Sequence, residues 1–143
     1  MKKLILLLFI PLVFACSDDS NSTNEVELQI GDVHEGGIVF SVNSSGGKIA
    51  AMGDAGIMNY YEAIDSQSNN WYLPSLSELE LMYMTIGQGA DNIGNFADGS
   101  YLSSNIGGSS SAPWVSVFNF SNGNSISGLN IILNFRVRLI RSY

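Results

Sequence analysis

Apolar positions along the chain fall into three zones, and their spacing predicts a different role for each zone. Residues 4–15 form an apolar run broken only by Pro11, residues 17–25 include no apolar residue, and residues 26–143 mix apolar and polar stretches. A membrane-spanning helix needs about 20 apolar residues, so the first run is too short to be one. The last zone has roughly 118 residues, the usual size of one domain with a buried core.

Short runs of β-branched and aromatic residues in the last zone predict strands. The predicted strands are residues 38–42, 48–52, 101–104, 114–118 and 130–141. Turn residues separate the first pair, and Asn122-Gly123 is a favoured hairpin turn after the fourth strand. In the last strand, alternation is expected to point Arg136 and Arg138 away from the neighbouring apolar side chains.

The clearest helix signal follows Pro74, which keeps the preceding residue out of helical geometry. Ser75 and Glu78 form a capping box, in which each side chain binds the backbone amide of the other residue. Apolar residues then recur along one helical stripe, at Leu76, Leu79, Met82, Tyr83 and Ile86. We expect Gly87 to end this helix in a left-handed conformation.

A second, shorter helix is predicted over residues 57–64. Ile57, Tyr60, Tyr61 and Ile64 have helical spacing there and are expected to share one face. The segments 88–100 and 107–112 are rich in Gly, Asn, Ser and Asp and are predicted to be loops.

The first zone has the features of a secretory signal. Lys2 and Lys3 precede the apolar run, and a small residue, Ala15, precedes Cys16. A cysteine at this position resembles the lipobox of bacterial lipoproteins, whose thiol is acylated before cleavage. We predict a signal peptide over residues 1–15 and a lipid anchor on Cys16, which more than one acyl chain makes stable. The alternative is a plain secretory peptide, with Cys16 there by coincidence.

Residues 16–27 are predicted to be an acidic flexible tether, because so polar a stretch cannot bury enough surface to order itself. Ser17-Asp18-Asp19 resembles the export signal of surface-exposed lipoproteins in Bacteroidota. This resemblance implies a lipid-anchored protein of the outer membrane, facing the outside of the cell. The alternative is an ordinary solvated linker, and which leaflet holds the anchor stays open.

The charge of the chain restricts its partners. Loss of Lys2 and Lys3 with the signal leaves four basic residues against 13 acidic ones, a net charge of −9. Such a protein repels phosphate backbones, so nucleic acid is excluded as a partner. Sulfated polysaccharides and anionic headgroups are disfavoured for the same reason. Neutral sugars, peptides, cations and other proteins stay open.

The sequence has no signature of catalysis. His34 is the only histidine, and its place before the Gly36-Gly37 turn is typical of a surface residue. There is no zinc-ligand cluster, no Gly-x-Ser-x-Gly elbow around a serine nucleophile and no Gly-Lys-Ser/Thr phosphate loop. We therefore expect that the protein is not an enzyme and has no resident cofactor.

Two weaker signals point to ligands. The 88–100 loop concentrates oxygen donors of the kind calcium prefers, and Asp91, Asn95 and Asp98 are the candidate ligands. With Asn92, they are also candidates for contacting another ligand, although such loops are usually plain turns. Trp114 joins the candidate binding residues, because an exposed tryptophan stacks on sugar rings. Core packing is the alternative for both Trp114 and Trp71.

Six short motifs resemble the Lcl C-terminal-like domain family, which is related to the Fibrobacter major paralogous domain. Residues 36–40 read Gly-Gly-Ile-Val-Phe, 71–79 read Trp-Tyr-Leu-Pro-Ser-Leu-Ser-Glu-Leu, and 137–141 read Val-Arg-Leu-Ile-Arg. Residues 47–51, 60–63 and 101–104 supply the other three motifs in the family's order. The chain departs from the family at Tyr60, Tyr72 and Leu102, where relatives have Trp, Arg and Trp, and it lacks the family's cysteines.

The resemblance covers the domain predicted over residues 28–143, and it implies an α+β, C-type-lectin-like fold. Two helices would pack on antiparallel sheets, with the chain ends close together. The motif residues with an expected structural role are Gly36, Gly37, Trp71, Pro74, Ser75, Glu78, Arg138 and Arg141. We expect the two arginines to pair with carboxylates. The implied function is a surface binding or adhesion module for a carbohydrate or a partner protein; the alternative is a structural or accessory envelope lipoprotein without a small ligand.

Overall fold

The structure is a computed structural model that describes residues 26–143. This part of the chain forms two β-sheets and two helices. The elements are β1 Val33–His34, β2 Gly37–Asn43, β3 Gly46–Ala51, β4 Gly56–Met58, α1 Tyr60–Asp65, α2 Leu76–Thr85, β5 Ser100–Ser109, β6 Ala112–Asn119, β7 Asn124–Asn130, β8 Phe135–Val137 and β9 Ile140–Ser142. The predicted signal peptide, Cys16 and nearly all of the tether lie outside the described residues. No helix within 26–143 combines the length and apolar character needed to cross a membrane.

The sheets have different strand directions. The first has the order β1-β2-β3-β9 and is antiparallel throughout, and the second has the order β4-β8-β5-β6-β7. In the second sheet β5 and β8 run parallel, so this sheet is mixed. The fold is therefore α+β as predicted, with two helices against one antiparallel and one mixed sheet.

The prediction of one closing strand over residues 130–141 is wrong. The segment ends β7, turns, forms β8 in the second sheet, and then crosses to the first sheet as β9. Regular alternation breaks between β8 and β9, where Arg138 is buried instead of facing solvent. A buried arginine with a full set of partners overrides the alternation on which the prediction was based.

The structure also corrects the loop predicted over residues 107–112, which is the tip of the β5–β6 hairpin. Gly107 lies opposite Trp114, and Ser109 opposite Ala112. A Cβ atom on Gly107 would lie 2.1 Å from the Trp114 ring, so the glycine makes room for the indole. The glycines that suggested a loop are there to accommodate a tryptophan. The hairpin turn at Asn122-Gly123 and the β2–β3 hairpin are confirmed.

The α2 helix starts as predicted but ends differently. The Ser75 hydroxyl accepts the Glu78 amide at 3.3 Å, and the Glu78 carboxylate accepts the Ser75 amide at 2.7 Å. Gly87 does not adopt a left-handed conformation. A Cβ atom there would lie 2.8 Å from the Tyr83 backbone and 2.9 Å from the Phe120 ring. Gly87 thus permits close packing after the helix.

The helix predicted over residues 57–64 begins later than expected. Ile57 and Met58 belong to β4, which pairs with β8. The Asn59 side chain then caps α1 by accepting hydrogen bonds from the amides of Tyr61 and Glu62. In turn, the Glu62 carboxylate accepts a hydrogen bond from the Asn59 amide. This capping box sets the start of the helix. The predicted apolar face is therefore wrong: Ile57 and Tyr61 are exposed, and α1 buries only Ala63.

The α2 helix joins the two sheets, because it packs on β2 of the first sheet and on β5 and β6 of the second. The core around it is rich in aromatic side chains, including Phe40, Phe96, Tyr101, Phe118 and Phe120. A second core cluster lies beside α1 and includes Ala63, Leu102, Val115, Val117 and Val137.

An ion pair between Lys48 on β3 and Glu78 fixes the start of α2 to the first sheet. The hydrogen bond that Lys48 donates to the Glu78 carboxylate is the main cause that raises the Lys48 pKa. Burial alone would raise the pKa of Glu78, but its bonds from Lys48 and Ser75 outweigh burial and lower it below the usual value.

Candidate functional site

The loop predicted over residues 88–100 as a calcium site surrounds an internal cation. Since β5 begins at Ser100, the loop itself covers residues 88–99, and we name it the Arg138 loop. The Arg138 side chain is only 2% exposed, and its guanidinium lies 4.3 Å from the centre of the Phe96 ring. Arg138 Nη1 donates to the backbone carbonyls of Ala51 and Gly94, each at 2.9 Å. Nη2 donates to the carbonyl of Asn95 at 3.3 Å. The loop directs its backbone oxygens at this arginine.

Asp54 completes the surroundings of Arg138. Its Oδ1 accepts Arg138 Nε at 2.7 Å, and its Oδ2 accepts the Tyr101 hydroxyl at 3.0 Å. Burial is the main cause that raises the pKa of Tyr101, so this hydroxyl stays a donor. The pairing of Arg138 with a carboxylate meets the expectation from the sequence.

The candidate calcium ligands do not form a common site. The Asn92 side chain accepts the Phe96 amide at 2.9 Å and donates to the Phe96 carbonyl at 3.0 Å. Asp98 accepts the Gln88 amide at 2.7 Å, while Asp91 and Asn95 are exposed. No three His, Cys, Asp or Glu side chains within residues 26–143 are grouped to hold a metal ion. The geometry of this loop gives no support to the calcium hypothesis.

Trp114 borders a separate shallow groove of about 540 Å³. Its ring is half-buried against Gly107, and Pro113, Ile131 and Ile132 line the same groove. The structure does not bring Trp114 together with Asp91, Asn92, Asn95 or Asp98: none of them lines that groove.

Trp71 occupies a more polar surface. Its amide donates to the Ser68 carbonyl at 2.8 Å, and the next residue, Tyr72, pairs with Ile140 of β9. A Cβ atom on Gly37 would lie 3.1 Å from the tip of the Trp71 ring, so the ring packs against this glycine. The Arg141 guanidinium lies 5.3 Å from the ring centre in a cation–π arrangement. Three motif residues thus form one cluster.

Two grooves meet at Trp71. The amide groove, about 600 Å³, is lined by residues 67–72 with Arg141 and Ser142. The glycine groove, about 400 Å³, is lined mainly by the small residues Gly36, Ala51, Gly53 and Ala55. Two larger residues, Glu35 and Leu139, also line it. Ser68 and Trp71 line both grooves. We call the two grooves together the Trp71 face.

The charges on the Trp71 face are paired with each other. Arg141 Nη2 donates to the Glu35 carboxylate and, at 3.3 Å, to the Glu35 carbonyl. Glu35 has a positive φ of 44°, which is uncommon for a residue other than Gly or Asn. The Arg141 Nε atom is buried and has no hydrogen-bond partner within residues 26–143. The pair holds Glu35 in a strained conformation at the mouth of the glycine groove.

Two further strained residues border the amide groove. Asn69 and Asn70 have φ values of 51° and 67°, and both side chains are exposed. Strained backbone persists only where its surroundings impose it, and it is concentrated at binding sites and active sites. Within residues 26–143, three of the five non-glycine residues with positive φ lie on the Trp71 face, and the other two, Asn92 and Asn95, lie in the Arg138 loop.

His34 lies near this face but lacks a catalytic arrangement. Its ring packs edge-on against Tyr143, with ring centres 4.7 Å apart, and its Nε2 is 3.8 Å from Glu35 Oε1. Within the described residues it makes no hydrogen bond to a hydroxyl that could act as a nucleophile.

Sequence reasoning recognised Gly36, Gly37, Trp71 and Arg141 as motif residues with a structural role, and it left stacking on a sugar open for Trp71. It missed Glu35, Asn69 and Asn70. The consecutive asparagines before Trp71 were a visible signal, since Asn tolerates left-handed turns. No family model matches this chain, and no curated protein matches it significantly.

Proposed function

We propose that the domain is a binding module displayed on the cell surface, that it is not an enzyme, and that the Trp71 face is its recognition surface. The observation that carries this proposal is the position of Trp71 between two adjoining grooves, with paired charges and exposed amides around it. An aromatic wall with a few fixed polar groups is the usual composition of a ligand site.

We further propose a C-type-lectin-like fold and membership of the Lcl C-terminal-like family. The α+β architecture is compatible with both. Residues 26–28 line a common groove with Tyr143, so the start of the domain lies beside its last residue. This proximity supports the expectation of adjacent chain ends.

The proposed location is the outer face of the outer membrane, with a lipid anchor on Cys16 and residues 16–27 as the tether. Support comes from the basic and apolar leader and from the acidic residues behind Cys16. Metabolic labelling with a fatty acid should mark the wild-type chain and leave Cys16→Ala unlabelled. Labelling of both chains, or of neither, would contradict the anchor.

Capture experiments test the recognition surface. Cells displaying the wild-type chain, Trp71→Ala or Tyr61→Ala are incubated with arrays of neutral glycans and of extracellular proteins. Tyr61 is a matched control, because it is an aromatic residue 54% exposed on α1 that lines neither groove. We expect capture by wild type and Tyr61→Ala and loss of capture by Trp71→Ala. Silence on both arrays, with and without calcium, would favour the accessory-lipoprotein alternative.

A further inference from the structure

We infer that the Trp71 face binds a neutral oligosaccharide that lies across the Trp71 ring and occupies both grooves. This inference depends on the proposed function and specifies its ligand. The residues that line the two grooves indicate the charge, the hydrogen-bonding chemistry and the length of the ligand.

The lining sets the charge of the ligand. Among residues 26–143, Glu35 and Arg141 are the only charged residues that line the two grooves, and each is bound to the other. A charged ligand would have to compete with this internal partner. The remaining field comes from a chain of net charge −9 without its leader, which repels anions. A neutral ligand avoids both costs.

The hydrogen-bonding groups favour a sugar over a peptide. Gln67, Asn69 and Asn70 offer amides that both donate and accept, as sugar hydroxyls also do. A pyranose also has an apolar C–H face, which matches the face of an indole. A peptide that binds by strand addition needs a free strand edge. That route is closed beside Trp71, since the Tyr72 amide and carbonyl both bond to Ile140 at 2.9 Å.

The two grooves set the length. Trp71 and Ser68 are shared between them, so a ligand stacked on the indole has space on both sides. A single ring would leave one groove unused, whereas two or more linked rings fill both.

The test is calorimetric titration of the full chain, purified in a detergent without a sugar headgroup. The probes are neutral β-linked gluco-, manno- and xylo-oligosaccharides from one to six units, with β-linked oligomannuronate as the anionic counterpart of the manno series. We expect affinity for one neutral series to rise about tenfold or more from one unit to four, equivalent to about 1.4 kcal/mol. Oligomannuronate should bind more weakly than manno-oligosaccharides of the same length.

Three variants locate the binding. Trp71→Ala should weaken binding at least about 30-fold, as expected for an aromatic anchor. Asn70→Gly removes an amide without backbone strain and should weaken binding even if Trp71→Ala fails to fold. Gly53→Trp should block the glycine groove and abolish the gain with length, because a Cβ atom at Gly53 meets nothing within 4 Å. Ser110→Trp, on the exposed β5–β6 turn, is the bulky control and should bind normally.

The outcomes separate this inference from the proposed function. Binding that depends on Trp71 but prefers a peptide or an anionic glycan would overturn the inference and leave the recognition surface intact. Equal affinity for one unit and for four, unaffected by Gly53→Trp, would overturn the use of two grooves. Failure of every neutral series to bind would overturn the inference, and absence of any Trp71-dependent partner would overturn both.

Discussion

The Arg138 loop and the Trp71 face each centre on an arginine from the last motif of the chain, and they use it in opposite ways. Arg138 is 2% exposed and donates hydrogen bonds to one carboxylate and three carbonyls. Arg141 is 21% exposed, bonds only to Glu35 within the described residues, and borders an open groove. The donors of Arg138 are therefore engaged inside the protein, whereas Arg141 borders a groove with exposed amides.

This difference shows that oxygen-rich composition does not locate a ligand site. The Arg138 loop has the carboxylates and amides that attract attention in a sequence, yet Asn92 and Asp98 are bonded within the loop, and Asp91 and Asn95 line no shared site within residues 26–143. The Trp71 face has an ordinary composition, but its exposed asparagines border a groove beside an aromatic ring. This arrangement, which only the structure reveals, distinguishes the two regions.

The largest expected effect comes from Arg138→Met. Removing the buried arginine leaves Asp54 Oδ1 and three carbonyls without the donors of Arg138, which should lower the free energy of unfolding by about 3–5 kcal/mol. Urea denaturation followed by circular dichroism measures the loss. Arg141→Met is the matched control, and its partly exposed pair should cost about 1 kcal/mol or less. Equal losses would erase the contrast between the regions.

A smaller effect is expected from Ser75→Ala at the start of α2. The variant loses the hydroxyl that accepts the Glu78 amide, which should cost about 1 kcal/mol. The same denaturation experiment measures it. Because the cap lies outside both grooves, ligand affinity per folded molecule should stay unchanged. A loss of affinity without a loss of stability would contradict this separation.

The stability that the Lys48–Glu78 ion pair gives to the folded chain should depend on pH. The Glu78 pKa is lowered on folding, so its stabilisation is present above the ordinary value of 4.5 and is lost as pH falls through the folded value. The Lys48 pKa is raised, so its stabilisation is present below 10.5 and is lost as pH rises further. Relative to Glu78→Gln, the wild type should therefore be most stabilised between these limits. Denaturant unfolding of both chains across pH measures the difference, and a gap that stays constant with pH would contradict it.

The smallest expected effect is that of calcium on thermal stability. An ion that binds the folded state raises the melting temperature by mass action. Because Arg138 occupies the centre of the loop and Asn92 and Asp98 bond within it, we expect no shift on adding calcium. A calcium-dependent rise that disappears in Asp91→Asn or Asp98→Asn would restore the calcium hypothesis.

Local signals in the sequence predicted the fold better than the site. The Ser75 capping box and the β2–β3 hairpin depend on neighbouring residues, so they could be predicted. The split of residues 130–141 between two sheets depends on the distant Asp54 and Ala51, which bind Arg138. The Trp71 face is assembled from segments more than 100 residues apart, such as Glu35 and Arg141, and no local pattern reveals that contact.

The most direct test of the recognition surface uses the fluorescence of single tryptophans. The chain has two, so Trp114→Phe reports Trp71 and Trp71→Phe reports Trp114. Acrylamide quenching of each variant is measured with and without saturating neutral tetrasaccharide. We predict that the ligand shields Trp71 in Trp114→Phe and leaves the quenching of Trp114 in Trp71→Phe unchanged. Shielding of Trp114 alone, or of neither tryptophan, would contradict the account.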